Sequence, residues 1–327
     1  MKYPKKVIAL ACAAALGCLA LTGCSPSAGA QNDSSNTTSS TEESQGFNYD
    51  TTIEETVIED NDTVTITAKS LEFSSNRANL TINVKNNTKQ KFSINSNNGY
   101  MSANYINNYA LSTGWMSEDI GAGKAKDIEI AFDLSEADLL GITEINEIGL
   151  GVSISANYKE IYEKILPIPT SSSGNQVSEG SFEYALTSGL DAMGIEYEKR
   201  ETTSDLSSMG KAGFVLHKAA VLTNENGDNH LYIEVENTTD KVQTFIIKDK
   251  LAINGTDVYD SYIICSDTIA PGKKCLVEVN LDNYVDSTDD KESSVDMGNI
   301  TEVSFKAAGI DGKENTVMKP TSFTLSF

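Results

Sequence analysis

The stretch NLTINVKNNTKQ, residues 79–90, decides the fold of this chain because it occurs twice. Its counterpart is HLYIEVENTTDK, residues 230–241. In both stretches apolar residues alternate with polar ones, and a turn rich in Asn and Thr follows. The alternating apolar residues are Leu80, Ile82 and Val84 in the first copy and Leu231, Ile233 and Val235 in the second. This period of two predicts a β-strand with one buried face in each copy.

Three further matches follow in the same order along the chain. Both copies reach an Asn-Gly pair, at residues 98–99 and 254–255. IGAGKAKDIEIAFDL, residues 120–134, then matches IAPGKKCLVEVNLDN, residues 269–283. Finally EINEIGL, residues 144–150, matches NITEVSF, residues 299–305. Four matches in one order indicate two copies of a single domain.

Each copy has the pattern of an all-β domain. Several short alternating strands separated by turn residues are typical of an immunoglobulin-like β-sandwich. The turns agree, since Asn226-Gly227 suits a tight hairpin and Pro271-Gly272 suits a type II turn. We therefore predict two tandem immunoglobulin-like β-sandwiches, at residues 53–169 and 194–327, joined by a linker. The linker comprises residues 170–193 and is expected to contain a short helix around residues 182–190.

The first fifty residues carry an export signal. Three lysines precede an apolar run at residues 7–21, which is the pattern of a secretory signal peptide. Leu-Thr-Gly-Cys at residues 21–24 resembles the lipobox of bacterial lipoprotein signal peptides, in which lipid is attached to the cysteine and the chain is cleaved before it. The resemblance implies that residues 1–23 are removed and that lipidated Cys24 anchors the protein to a membrane. An ordinary signal peptide with an incidental cysteine is the alternative.

Residues 24–52 are dominated by small polar and acidic side chains, which favours a disordered tether. The lipobox, this tether and the order of strands and turns together resemble bacterial (Firmicute-type) surface lipoproteins with tandem immunoglobulin-like domains of unknown function. The resemblance implies the fold and a location on the extracytoplasmic face of the cell membrane. It carries over no catalytic residue.

The formal net charge of -22 argues against nucleic acid as a partner, because polyanions repel each other. Besides the membrane, the expected partner is an unidentified protein or glycan. We find no motif for a cofactor and expect none. The acidic loops lack the spacing of a calcium loop, so no metal site is expected either.

The sequence does not indicate an enzyme. Its only histidines, His217 and His230, lie in or beside predicted strands and are expected to be structural. The favoured interpretation is a binding or interaction module. The alternatives are a structural envelope spacer or stress protein without a small ligand, and, less favoured, a hydrolase of envelope polymers.

One segment concentrates aromatic residues, at residues 99–115, and it is longer than its counterpart in the second copy. The residues are Tyr100, Tyr105, Tyr109 and Trp115, the last being the single tryptophan of the chain. Tyrosine and tryptophan are enriched at binding surfaces, but they also fill sandwich cores. The segment is therefore either a binding loop or part of the core.

Cys265 and Cys275 are the only cysteines beyond the tether. They flank a predicted turn in an exported protein, where a disulfide can persist. Spacing alone does not show that their backbones come close enough for a bond. A disulfide and a pair of buried or half-buried thiols both remain open.

Overall fold

The computed structural model describes residues 47–96, 103–192, 194, 196–260, 262–285, 295–311 and 315–327. The predicted signal peptide, the lipidation site Cys24, the first part of the predicted tether and Tyr100 lie outside the described residues.

Strands dominate both repeats. In the first repeat they are β1 (Thr56–Asp60), β2 (Val64–Ser74), β3 (Arg77–Asn86), β4 (Phe92–Ser96), β5 (Tyr105–Ile106), β6 (Tyr109–Ala110), β7 (Met116–Ile120), β8 (Ala125–Asp133), β9 (Glu147–Ala156) and β10 (Lys159–Pro169). In the second they are β11 (Tyr197–Glu201), β12 (Phe214–Asn224), β13 (Asn229–Asn237), β14 (Gln243–Ile253), β15 (Thr256–Tyr259), β16 (Ile263–Ile269), β17 (Lys274–Asn280), β18 (Glu302–Asp311) and β19 (Thr316–Ser326).

Short helical segments lie between these strands. They are α1 (Ser135–Leu139), α2 (Phe182–Tyr184), a π-helical turn (Ala185–Gly189), α3 (Leu190–Ala192), a 3-10 turn (Leu206–Ser208) and α4 (Asp282–Val285). Among the described residues, no helix combines the length and the apolar character that crossing a membrane requires.

The two repeats share one strand topology. The first sheet is β1-β2-β3-β8 in the first repeat and β11-β12-β13-β17 in the second. The facing sheet is built around β4, which pairs with β7 and β9, and around β14, which pairs with β16 and β18. The last two strands of each repeat are antiparallel partners. In each repeat the chain passes between two facing sheets, which is the immunoglobulin-like arrangement. The predicted all-β fold is therefore confirmed.

Alternation along the strands places one face in the core. In β3 every second residue is buried, and Leu80, Ile82 and Val84 are all 0% exposed. Their counterparts in β13 are likewise buried in a second core. Each repeat therefore stabilises itself mainly by burying the apolar face of its own sheets.

The Asn-Thr turn after β3 is held by a buried amide. Asn86 Nδ2 donates to the carbonyl oxygens of Gln90 and Ile120, at 2.8 and 2.9 Å. Its Oδ1 accepts the main-chain N–H of Thr88 at 2.8 Å. The side chain thus closes its own turn and fastens it to the end of β7.

Asn237 repeats this network in the second sandwich. Its Nδ2 donates to the carbonyl oxygens of Lys241 and Ile269, at 2.7 and 2.9 Å. Its Oδ1 accepts the N–H of Thr239 at 3.1 Å. Asn86 and Asn237 are both 0% exposed, so the motif shared by the repeats is a structural clamp.

Asn98-Gly99, which the sequence comparison matches with residues 254–255, lies outside the described residues, and a described asparagine, Asn107, takes the position of Asn254. Asn254 Oδ1 accepts the main-chain N–H of Glu302 at 3.1 Å, and Asn107 Oδ1 accepts that of Glu147 at 3.2 Å. Both asparagines have positive φ, 50° and 53°. Asn107 therefore occupies the position of Asn254, and the β5–β6 hairpin corresponds to the turn between β14 and β15. The extra residues of the first copy precede this hairpin.

The predicted end of the tether at residue 52 is too late. Asn48 N donates to the carbonyl of Thr143 at 2.6 Å, and Thr51 is 1% exposed with its hydroxyl 3.2 Å from that of Ser172. Phe47 packs against the first core. The segment from residue 47 is therefore part of the first sandwich.

The short helix predicted between the sandwiches is present as α2, the π-helical turn and α3. Phe182, Ala185, Leu186 and Leu190 are buried and pack against Ala220 and Leu222 of the second repeat. The segment predicted as a linker is therefore a packed connection. It lies within a single compact unit, Gln45–Phe327.

Candidate functional site at the junction of the repeats

A sheet runs through both repeats. The β5–β6 hairpin pairs with β9 on one side, and β6 pairs in parallel with β17 of the second repeat, where Tyr109 stands opposite Lys274. This contact joins strands from both sandwiches into one ten-stranded sheet. The junction is therefore a main-chain connection as well as a contact of side chains.

A buried ionic cluster holds the centre of the junction. Glu234 of β13 is 4% exposed. Its carboxylate accepts a hydrogen bond from the Tyr109 hydroxyl and one from the main-chain N–H of Phe182 at 3.3 Å. Lys274 Nζ lies 3.6 Å from the same oxygen. Burial and the charge of Glu234 raise the pKa of Tyr109, so this phenol remains a donor.

A second cluster lies beside the first. Tyr105 OH donates to Glu147 Oε1 at 2.7 Å, and Lys273 Nζ stands 4.0 Å from the centre of the Tyr105 ring. Lys273 Nζ also donates to the carbonyl of Asn107 at 2.6 Å. Burial lowers the pKa of Lys273. Together these contacts dock the turn before β17 onto the hairpin of the first repeat.

The aromatic segment is thus mostly interior. Tyr105 and Tyr109 are 6% and 0% exposed, which places them in the junction and contradicts their prediction as part of a binding loop. Trp115 differs, with 64% of its surface exposed. Of the two interpretations of this segment, the structure favours the core for these two tyrosines.

Cys265 and Cys275 are free thiols in the structure. Cys275 in β17 is buried and Cys265 in β16 is half-buried, and these consecutive strands belong to different sheets. Burial, together with the nearby Asp267 carboxylate, raises the pKa of both thiols. Both therefore stay protonated and weakly nucleophilic at neutral pH.

The two histidines each bond to a glutamate on a neighbouring strand. His217 Nε2 lies 2.6 Å from Glu236 Oε2, and His230 Nδ1 lies 2.7 Å from Glu278 Oε1. The Glu278 carboxylate raises the pKa of His230. These cross-strand pairs agree with the structural role expected for both residues.

A cleft of about 570 Å³ opens next to the junction, and both repeats line it. The first repeat contributes Ala110, Leu111, Ser112, Glu136 and Leu139, and the second contributes Tyr232, Ser266, Asp267, Thr268, Cys275, Leu276 and Glu278. The wall from the first repeat begins directly after Tyr109. The docked junction therefore forms the cleft.

Three carboxylates converge on this cleft. Glu278 has partners, since it bonds to His230 and accepts the Tyr232 hydroxyl at 3.1 Å. Asp267, which is half-buried, accepts no hydrogen bond from and forms no ion pair with any other described side chain. Among the described residues, Glu136 accepts a hydrogen bond only from the main-chain N–H of Ser112. Two acidic groups in the cleft thus lack a counter-ion among the described residues.

The surroundings of Glu136 and Asp267 disfavour the ionised form of both carboxyl groups. Burial, followed by the charges of Asp267 and Glu278, raises the pKa of Glu136 to about 8. Burial, followed by the charge of Glu278, raises the pKa of Asp267 to about 6. Among the described residues, no group of three or more His, Cys, Asp or Glu side chains is arranged to hold a metal ion.

The raised pKa values predict a pH dependence of stability. The folded state holds these protons more tightly than the unfolded state, in which carboxyl groups titrate near pH 4. Protonation of Asp267 and Glu136 therefore favours the folded state. This contribution to the free energy of unfolding is present at about pH 4 and is lost as the pH rises through 6 and 8.

Asp267→Asn should reduce the loss of stability that accompanies a rise in pH. We expect the variant to gain about 1–2 kcal/mol of unfolding free energy at pH 8, and little at pH 4, relative to the original protein. Urea denaturation at the two pH values measures the difference. Asp240→Asn, in an exposed turn, is the control. An equal effect of both substitutions would contradict the prediction.

No family model matches the chain, and no curated protein matches it. Among solved structures it is similar to the exo-chitosanase CsxA of Amycolatopsis orientalis, with 11% identity over 77% of this chain and 26% of that chain, at a TM-score of 0.18. It is also similar to the SafA pilin of Salmonella enterica in complex with the SafB chaperone, with 8% identity over 81% and 97% of the two chains, at a TM-score of 0.19.

A third similar structure is the chicken interferon gamma receptor alpha chain, with 8% identity over 85% of this chain and 98% of that chain, at a TM-score of 0.16. The present chain spans only about a quarter of the length of the exo-chitosanase. All three TM-scores are far below 0.5, so the activities of these proteins do not transfer to this chain.

Proposed function

We propose that this protein is a lipid-anchored extracytoplasmic binding protein whose ligand enters the cleft between its two immunoglobulin-like repeats. The observation that carries the proposal is the cleft itself, a concave site of about 570 Å³ with two carboxyl groups for which the described residues provide no counter-ion. Concave sites with a few convergent polar groups and shifted pKa values are the usual form of a small-ligand site.

The junction supports the proposal because it holds the cleft open before a ligand arrives. The buried Glu234 cluster and the parallel pairing of β6 with β17 fix the two walls relative to each other. A preformed site loses less conformational entropy on binding than one that must assemble. The two repeats therefore act as one binding unit.

Thermal unfolding in the presence of candidate ligands tests this function. The panel comprises peptidoglycan fragments, teichoic-acid pieces, host glycans, short peptides, small amines and calcium. A compound that binds the folded state raises the unfolding midpoint with its concentration. Ser112→Trp places an indole at the cleft wall and should abolish the rise, whereas Ser117→Trp on the exposed side of β7 should not. No cleft-dependent rise across the panel would overturn the proposal.

The anchor is tested separately. Mass spectrometry of the protein expressed in a bacterium should find a mature N-terminus at Cys24 that carries diacylglycerol, and Cys24→Ser should abolish both the cleavage and the lipid. Cys18→Ser, six residues earlier in the same region, should change neither. An unmodified N-terminus created at another position would contradict the anchor.

A further inference from the structure

A small apolar chamber adjoins the cleft. It encloses about 190 Å³ and is lined by Leu139, Phe182, Ala185, Leu190, Tyr197, Leu222, Tyr232 and Leu276. Leu139, Tyr232 and Leu276 also line the cleft, so the two spaces share a wall. The acidic cleft and the apolar chamber are therefore immediate neighbours.

We propose that the site takes a primary ammonium compound with an apolar tail, such as an alkylamine or the free N-terminus of a peptide that begins with an apolar residue. The ammonium lies between Asp267 and Glu136, and the tail enters the chamber. This inference rests on the proposed function and names its ligand class.

The charge expected of the ligand is inferred from a contrast among the carboxylates of the junction and the cleft. Glu234 has Lys274 and Tyr109 as partners, and Glu278 has His230. In the part of the chain that the structure describes, Asp267 and Glu136 have no cation as a partner. A carboxyl group in the cleft without a partner holds its proton, so a cation that enters the cleft supplies the missing partner of the ionised form.

The other lining residues indicate that the ligand carries an ammonium group and an apolar tail. An ammonium has three donors, and the cleft offers the carboxyl groups of Asp267 and Glu136 as acceptors. Tyr232 lies in both lining sets. The chamber presents an almost entirely apolar surface, which favours a hydrocarbon tail.

Calorimetric titration of the purified protein with hexylamine tests the proposal, with hexanol, hexanoate and methylamine as matched probes. Hexylamine should bind more tightly than the other three. Affinity should rise about fourfold for each methylene from butylamine to hexylamine, which corresponds to about 0.8 kcal/mol per methylene. The peptide Leu-Gly-Gly, free and N-acetylated, distinguishes a peptide terminus from a free amine as the source.

Two variants locate the binding. Asp267→Asn should weaken hexylamine binding at least tenfold, whereas Asp240→Asn, which removes one negative charge at an exposed turn, should not change it. Ala185→Leu fills the chamber and should abolish the gain per methylene while retaining the binding of methylamine.

Different failures have different meanings. If hexanol or hexanoate binds as tightly as hexylamine, and Ser112→Trp blocks that binding, the cleft is a binding site but the ammonium class is wrong. Calcium binding that depends on Asp267 and excludes hexylamine would also overturn the ammonium class. If hexylamine binds equally to Asp267→Asn, or does not bind, the inference fails, and the panel with Ser112→Trp still decides the proposed function.

Discussion

Tyr109→Ala is expected to lower the free energy of unfolding by about 3–5 kcal/mol, the usual loss for a fully buried aromatic residue. Tyr109 is 0% exposed, and its hydroxyl is a partner of the buried Glu234 carboxylate. The substitution therefore leaves a cavity and removes a donor from a buried charge. Because β6 carries the contact with β17, the two sandwiches should then unfold in separate transitions.

Differential scanning calorimetry measures both effects. Tyr109→Phe keeps the ring and should lose only about 1–3 kcal/mol, the cost of leaving Glu234 without this donor. Tyr158→Ala is the matched control, since Tyr158 is fully exposed at a hairpin tip, and it should change stability by less than about 0.5 kcal/mol. A single transition with an unchanged midpoint in Tyr109→Ala would rule out the junction as the element that couples the sandwiches.

Asn237→Ala is expected to destabilise the second sandwich by about 3 kcal/mol. The side chain is 0% exposed and bonds to the carbonyl oxygens of Lys241 and Ile269 and to the N–H of Thr239. Alanine leaves these main-chain groups without their partner, and each unsatisfied buried group costs about 1–3 kcal/mol, reduced where water enters the turn.

The duplicated clamp provides an internal comparison. Asn86→Ala breaks the same set of bonds in the first sandwich and should cost a similar amount. Asn226→Ala, in an exposed turn, should change little. Urea denaturation of the three variants compares them, and equal stability of Asn237→Ala and Asn226→Ala would show that the clamp is dispensable.

The fold could be predicted because its signals are local. The alternation at Leu80, Ile82 and Val84 places one strand face in the core whatever lies elsewhere in the chain. The Asn-Thr turns also close on themselves within a few residues, as Asn86 and Thr88 do. Local geometry and a repeated pattern together were sufficient for two sandwiches.

The junction and the cleft could not be predicted in the same way. Tyr109 meets Glu234 across 125 residues of sequence, and Asp267 and Glu136 come from different repeats. No periodicity links such positions. The available signal was the difference between the copies, since the tyrosines of the hairpin occur only in the first copy and the Lys273-Lys274 pair only in the second.

The parallel pairing of β6 with β17 is a head-to-tail contact, and such contacts can in principle propagate into an open fibre. The outer strands at which a further subunit would add are β15 and β8. There, however, Thr256 stands in the position of Tyr109, and Ala125 stands in the position of Lys274. The side chains that hold β6 against β17 are therefore absent from the two outer strands. This absence limits the assembly of the protein into filaments through β15 and β8.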